Sequence, residues 1–196
     1  FGMPPSRQHR AHEEKGLKHV YPYGMPCVET KEELQQLEEQ LAENNMLLLF
    51  RPHPVQDLSV FQKEELPHIR IADDAFLTSL ECTLYELLAQ TDALITDYSS
   101  VYFDYLLTDR PIALTIADRE EYFTHFTLAF ADYKEAVKGF YIETFSQLSS
   151  FLKEMADGVD STHGERMQAK EKYHTKNAGN SAKSIVNLLE KEYHLK

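Results

Sequence analysis

The chain has 196 residues, of which 42% are hydrophobic and 27% charged, so it can build a packed core and is not a disordered segment. Lys plus Arg number 20 against 32 Asp plus Glu, and the resulting net charge of -12 argues against a general nucleic-acid binder, which needs a basic stripe to neutralise phosphates. A small phosphorylated ligand stays open, because a few local donors can outweigh the global field.

Two cysteines, Cys27 and Cys82, are too few for a disulfide framework or a zinc site and point to a reducing cytoplasm. No apolar run approaches the roughly 20 residues of a membrane span. The chain opens on Phe1 rather than Met, the opening expected of a piece of a longer polypeptide.

Residues 1–30 hold Pro4, Pro5, Pro22 and Pro26 and read as an irregular lead-in with one short strand around Lys18–Tyr21. Thr30, followed by Glu32 and Glu33, starts a helix carrying Leu34, Leu37 and Leu41 at helical spacing and ending at Asn44-Asn45. The unbroken apolar block Met46–Phe50 has the pattern of a strand buried on both faces. Strand and helix then alternate: Ile69–Ala72, helix Thr83–Gln90, strand Ala93–Thr96, helix Ser100–Thr108, strand Ile112–Ile116. A last strand, Phe140–Ile142, precedes helices at Phe145–Met155, Gly164–Tyr173 and Ser181–Tyr193, the last opened by Gly179-Asn180. The alternation predicts an α/β fold with a Rossmann-like parallel sheet flanked by helices, residues 31–196 forming one domain with a helical tail.

Ligands of such sheets bind beyond the carboxyl ends of the strands. Two segments fall there. Arg51-Pro52-His53-Pro54 follows the Met46–Phe50 strand; the prolines restrict the backbone around a histidine able to act as acid, base or phosphate donor, and Arg51 offers a forked donor. A Pro-rich turn with a local histidine is the alternative. Thr96-Asp97-Tyr98-Ser99-Ser100 joins a strand to a helix, where Ser99 or Ser100 can serve as N-cap and donors can meet a phosphate. An ordinary capped helix is the alternative there.

Asp118, Glu120 and Glu121, after Ile112–Ile116, suit either a ribose hydroxyl or a turn cap. The aromatic residues at 98, 102, 103 and 105 read as packing. The other histidines (His9, His12, His19, His68, His125, His163, His174, His194) lack metal-ligand spacing. No GxGxxG, Walker A loop or GxSxG elbow is present, so dehydrogenase, P-loop and hydrolase readings fall away.

Arg51–Pro54, Leu84–Leu88, the run Thr91–Tyr105 and Arg110-Pro111-Ile112 closely resemble the carboxyl half of the CDP-glycerol glycerophosphotransferases, the enzymes of teichoic-acid-type polymers. Weaker matches are Gly2-Met3-Pro4, Asp118–Tyr122, Lys138–Tyr141 and Gly179–Ser181. The resemblance implies the C-terminal half of a glycosyltransferase-B architecture that binds CDP-glycerol or a similar CDP-alditol. His53 would be the catalytic residue at the pyrophosphate, with Arg51, Thr96, Asp97, Ser99, Ser100 and Asp118 binding substrate. No metal, cofactor or nucleic acid is expected.

The acceptor polymer would be held by an amino-terminal domain outside these residues. The chain alone would then not turn over, and the expected place is cytoplasmic, peripheral on the inner membrane face through the rest of the protein. The family's Arg-Asp motif, expected between residues 15 and 30, is replaced by Val20–Cys27 without such a pair. That departure keeps two rivals open: a catalytically degenerate nucleotide-binding or interaction domain, and a nucleotide-sugar transferase of the same fold preferring UDP ligands.

Overall fold

Three helices begin on the same local device. Thr30 and Glu33, Thr83 and Glu86, and Thr144 and Gln147 each form a capping box, in which the threonine hydroxyl accepts the N3 amide while the N3 side chain accepts the cap amide. A computed structural model of the chain describes residues 21–51, 65–125, 130, 132–174 and 179–193. The capping boxes open α1 (Lys31–Glu43), α3 (Leu84–Leu88) and α7 (Phe145–Ala156). Between them lie β1 (Leu48–Phe50), β2 (Ile69–Ile71), α2 (Asp74–Ser79), β3 (Leu94–Thr96) and α4 (Val101–Tyr105), which a 3-10 turn extends through Leu106–Thr108. Then come β4 (Ile112–Thr115), α5 (Arg119–His125), α6 (Tyr133–Ala136) and β5 (Phe140–Ile142). After α7 the chain ends in α8 (His163–Tyr173) and α9 (Ser181–Tyr193).

All strand pairs are parallel. β1 pairs with β2, Leu48 opposite Ile69, and β3-β4-β5 form a second sheet with Leu94 opposite Ile112 and Ala113 opposite Phe140. The expected alternation holds, and among the described residues five strands form two parallel sheets. β4 shows why its sequence is uniformly apolar: Ala113 joins a core shared with Leu34, Leu37, Leu41, Phe50, Ile69, Ile142 and Phe151, while Ile112 and Leu114 face a second core with Tyr102, Tyr105, Tyr133 and Ala169. The first core takes residues from both sheets and joins them. α1 and α7 lie against each other, fixed by Gln40 Nε2 donating to the Ser149 carbonyl at 2.8 Å and Ser149 Oγ donating to Gln40 Oε1 at 2.8 Å.

The lead-in contributes more than a tether. Tyr21, Met25, Cys27 and Val28 are buried, and burial pushes the Cys27 thiol up to about 12. Of the strand expected at Lys18–Tyr21, Lys18–Val20 lie outside the described residues and Tyr21 is not in a strand. Three short helices, α2, α5 and α6, were not visible in the sequence pattern; α2 and α6 rest on side-chain caps from Asp73 and Asp132 rather than on an apolar stripe. In the tail, Arg166 of α8 is 2% exposed and holds Asp160 at 2.7 and 2.8 Å, whereas α9 buries no residue.

Gly139 opens β5 where a Cβ would stand 2.6 Å from the Ile112 carbonyl oxygen, a backbone atom of β4 that cannot yield without breaking the register. Gly139→Ala should therefore lower stability by about 1–3 kcal/mol, the usual cost of overpacking. Gly164, helical with open space around it, is the control: Gly164→Ala should be neutral or stabilising by up to about 1 kcal/mol. Urea titration of both variants reads the difference.

Candidate functional site

The carboxyl ends of β3 and β4 are neighbours in one sheet, so the turns that follow them share one edge. Strand geometry sends Thr96 inward. Its side chain is fully buried, its carbonyl accepts Thr115 Oγ1 at 3.3 Å, and its own hydroxyl has no partner among the described residues. Thr96, expected as a substrate contact, lies with its side chain in the sheet interior.

Asp97 follows and is also buried, with 6% exposure. Its Oδ1 accepts the Ser99 amide at 3.1 Å, and its carbonyl accepts the Tyr133 hydroxyl at 3.1 Å. Burial, and behind it the charge of Asp118, raises the carboxyl to about 7, with the Ser99 bond opposing.

The two serines do not divide the capping role as expected. Ser100 occupies the N-cap position with helical dihedrals (φ -64, ψ -15) and makes no side-chain cap bond. Ser99 Oγ takes the Val101 amide instead, at 3.4 Å. The Ser99 amide is used by Asp97, and Tyr102 and Phe103 N–H groups go to the Ser99 and Ser100 carbonyls. What this turn offers outward is therefore the serine hydroxyls, Ser100 being exposed, rather than a ring of free amides.

Tyr98 ties this turn to the next. Its hydroxyl donates to Asp118 Oδ1 at 3.0 Å, and its ring stacks on Tyr122 with centroids 4.0 Å apart and planes at 22°. Phe123 and Tyr133 meet the same ring edge-on at 5.4 and 5.2 Å. Burial and the Asp118 charge together push the Tyr98 phenol far above its ordinary value, so it stays a donor. Read from the sequence as packing, Tyr98 also sets the Asp118 carboxylate. The signal available was a tyrosine, not a phenylalanine, one parallel strand away from an acid at the same edge. Of the neighbouring acids, Glu120 lies exposed on α5, its carbonyl accepting Thr124 Oγ1 at 2.8 Å.

Arg51, at the end of β1, points to α2: Nη1 donates to the Ala72 carbonyl at 2.8 Å and Nη2 pairs with Asp74 at 2.5 Å. Among the described residues it makes no hydrogen bond to the Asp97–Ser100 turn. His53, with Pro52 and Pro54, lies outside the described residues. No group of three or more His, Cys, Asp or Glu able to hold a metal occurs among the described residues, and no described helix is long and apolar enough to cross a membrane.

The chain is 34% identical over 92 residues to the teichoic acid ribitol-phosphate primase of Bacillus spizizenii, a stretch covering 46% of this chain and 21% of that protein. It is 33% identical over 86 residues to the teichoic acid glycerol-phosphate transferase of Staphylococcus aureus, covering 44% and 21%. The matches thus span about a fifth of each curated relative. In fold it is similar to the wall teichoic acid polymerase TagF, solved as a histidine-to-asparagine variant soaked with CDPG: TM-score 0.61 and 24% identity over 81% of this chain and 37% of that one. The sequence pattern of the CDP-glycerol:poly(glycerophosphate) glycerophosphotransferases matches residues 9–191. With almost its whole length inside that match, the chain belongs to the CDP-glycerol:poly(glycerophosphate) glycerophosphotransferase family.

Proposed function

We propose that this chain is the donor-binding part of a transferase that moves an alditol phosphate, glycerol phosphate in the first instance, from a CDP-alditol to a teichoic-acid-type acceptor. The observation that carries the reading is the polar junction beyond β3 and β4, where the Ser99 and Ser100 hydroxyls stand on one turn and Asp118, held by Tyr98, on the next. Open parallel sheets bind their ligands at such an edge.

The charges divide the donor between the two turns. A diphosphate is repelled by Asp118, so its oxygens belong with the serine hydroxyls, and the sequence after β1 adds Arg51 and His53 as donors. Asp118, an acceptor already oriented by one hydrogen bond, suits the hydroxyls of ribose or of the alditol. In the reaction the acceptor hydroxyl attacks the β-phosphorus, a new O–P bond forms, the bond to the bridging oxygen breaks, and CMP leaves while the hydroxyl proton is released. His53 would supply a proton to the leaving phosphate, a contribution of roughly 10²–10⁴-fold where its pKa suits. The remaining barrier lowering comes from positioning and charge neutralisation. The acceptor and the membrane would be met by other parts of the full-length protein.

Isothermal calorimetry of the folded chain with CDP-glycerol should show binding that Ser100→Ala and His53→Ala each weaken by about 3–30-fold, the loss of one hydrogen bond or charge-assisted contact. Absence of heat in a folded sample, or a preference for UDP ligands, would overturn the assignment.

A second outcome concerns pH. An anion placed near Asp97 favours its neutral form, so binding draws a proton onto a carboxyl already raised to about 7. Affinity for CDP-glycerol, whose diphosphate does not titrate in this range, should fall as pH rises through about 7. Asp97→Asn, which can still accept the Ser99 amide, should flatten that profile. The same raised carboxyl makes folding less favourable as pH climbs from the unfolded value of 3.8 toward about 7, because the folded state binds the extra proton in that window. Urea midpoints of wild type and Asp97→Asn should therefore diverge in favour of the variant above pH 7.

A further inference from the structure

The serine hydroxyls between β3 and α4 need a hold from elsewhere, because their own turn supplies little. α4 is five residues long, and a helix that short depends on tertiary contacts to stay formed. Ser100 makes no side-chain cap bond, and the Ser99 hydroxyl reaches the Val101 amide only at 3.4 Å.

One short stretch, α6 and its approach to β5, grips this turn at two points. On one side of the serines the Tyr133 hydroxyl donates to the Asp97 carbonyl at 3.1 Å. On the other side the Tyr102 hydroxyl accepts the Lys138 amide at 2.8 Å and donates to the Lys138 carbonyl at 3.0 Å. Among the described residues, Tyr133 is the one group outside the β3–α4 segment that hydrogen-bonds to the backbone of residues 97–100.

The gripping stretch is itself anchored. Asp132 Oδ1 accepts the Glu135 amide at 3.1 Å, Tyr173 of α8 donates to the Ala136 carbonyl at 2.9 Å, and Tyr141 of β5 donates to the Val137 carbonyl at 2.6 Å. Tyr133 is 6% exposed, and its ring meets Tyr98 edge-on at 5.2 Å and Phe123 at 5.9 Å. Ring and hydroxyl thus have separate tasks. The ring backs Tyr98, which orients Asp118, while the hydroxyl holds the serine turn.

We propose that Tyr133 is a positioning residue of the donor site: without touching the ligand, its hydroxyl fixes the Asp97 carbonyl and so sets where the Ser99 and Ser100 hydroxyls stand. The assignment rests on the reading of those hydroxyls as phosphate contacts. Deprived of this donor, the Asp97 carbonyl would be left without a partner, and the turn would have to rotate to let water reach it. That rotation displaces the serines. Asp118 stays in place, since a phenylalanine ring at position 133 still packs against Tyr98.

Tyr133→Phe, which keeps the ring and removes only the hydroxyl, tests this on the intact 196-residue chain. Calorimetry with CDP-glycerol should show binding about 3–10-fold weaker, the loss of one hydrogen bond. A double-mutant cycle then reads how the loss arises. Tyr133→Phe and Ser100→Ala should be non-additive, the double variant binding about as weakly as the weaker single one, whereas Tyr133→Phe and Asp118→Asn should add. Asp132→Ala, which loosens α6 at its exposed cap, should weaken binding in the same direction and couple to Ser100→Ala in the same way. Unchanged affinity, additivity with Ser100→Ala, or coupling to Asp118→Asn instead would overturn the assignment.

Hydrogen exchange without ligand gives a reading independent of the nucleotide. In Tyr133→Phe the Ser99 and Tyr102 amides should exchange about 10-fold faster while the Ala113 and Thr115 amides of β4 keep their rates. Equal acceleration of all four would mark a general loss of stability and would overturn the assignment, as would no change in any. No heat from the wild-type chain would end the donor-site reading, and this role with it, even with the exchange pattern as expected; heat with an additive cycle would end this role alone.

Discussion

A carboxyl group withdrawn from water at the mouth of a parallel sheet constrains everything that touches it. Asp97 is buried where β3 leaves the core, and the bond it receives is from the Ser99 amide two residues on. Keeping that bond fixes the turn, and the fixed turn spends its inward-facing amide on the protein itself. The outward face is left with hydroxyls. The chemistry available at this edge thus follows from how one acid is accommodated rather than from a generic helix terminus, a distinction that matters because α4 is only five residues long and its dipole correspondingly slight.

Tyrosines do the equivalent work for the carbonyl groups that loops leave unpaired. Tyr133 serves the Asp97 carbonyl, Tyr105 that of Thr91, Tyr102 that of Lys138, Tyr141 that of Val137 and Tyr173 that of Ala136, all at 2.6–3.1 Å. Each ring also packs in or against the second apolar core. A phenylalanine would fill the same space and orphan the carbonyl, except that of Thr91, which Arg110 Nη1 also reaches, at a cost of about 1–3 kcal/mol for a buried acceptor. Tyr98 is the variation on this pattern that reaches a side chain, Asp118, and so converts a packing element into an orienting one.

Legible in the sequence were α1, from its Thr30 cap with Leu34, Leu37 and Leu41, and, to the residue, the bounds of β5 and α9. α2, α5 and α6 were not, since four to seven residues give no period to detect and only their caps or tertiary contacts sustain them. At the strand ends, residue types marked where the turn after β3 falls, while partner choice escaped. Nothing in Arg51 as a letter shows that Asp74 and the Ala72 carbonyl will claim it, and nothing in Thr96 beyond strand parity shows that it turns inward. Direction along a strand is predictable; competition among donors is a property of the assembled neighbourhood.

That competition also explains how a chain of net charge -12 can accommodate a diphosphate in the proposed reading. Screening confines the influence of exposed acids to about 8–10 Å, so an exposed acid farther than that from the β3–β4 edge weighs little there. At the edge itself stand Asp97 and Asp118. Asp97 is raised to about 7, toward its neutral form, whereas Asp118 accepts the Tyr98 hydroxyl on the neighbouring turn. One carboxyl is disarmed by burial and the other has its orientation set by a hydrogen bond. The serine side is thereby left as the less negative half of the crevice, and a donor with phosphates at one end and hydroxyls at the other has a preferred direction in which to lie.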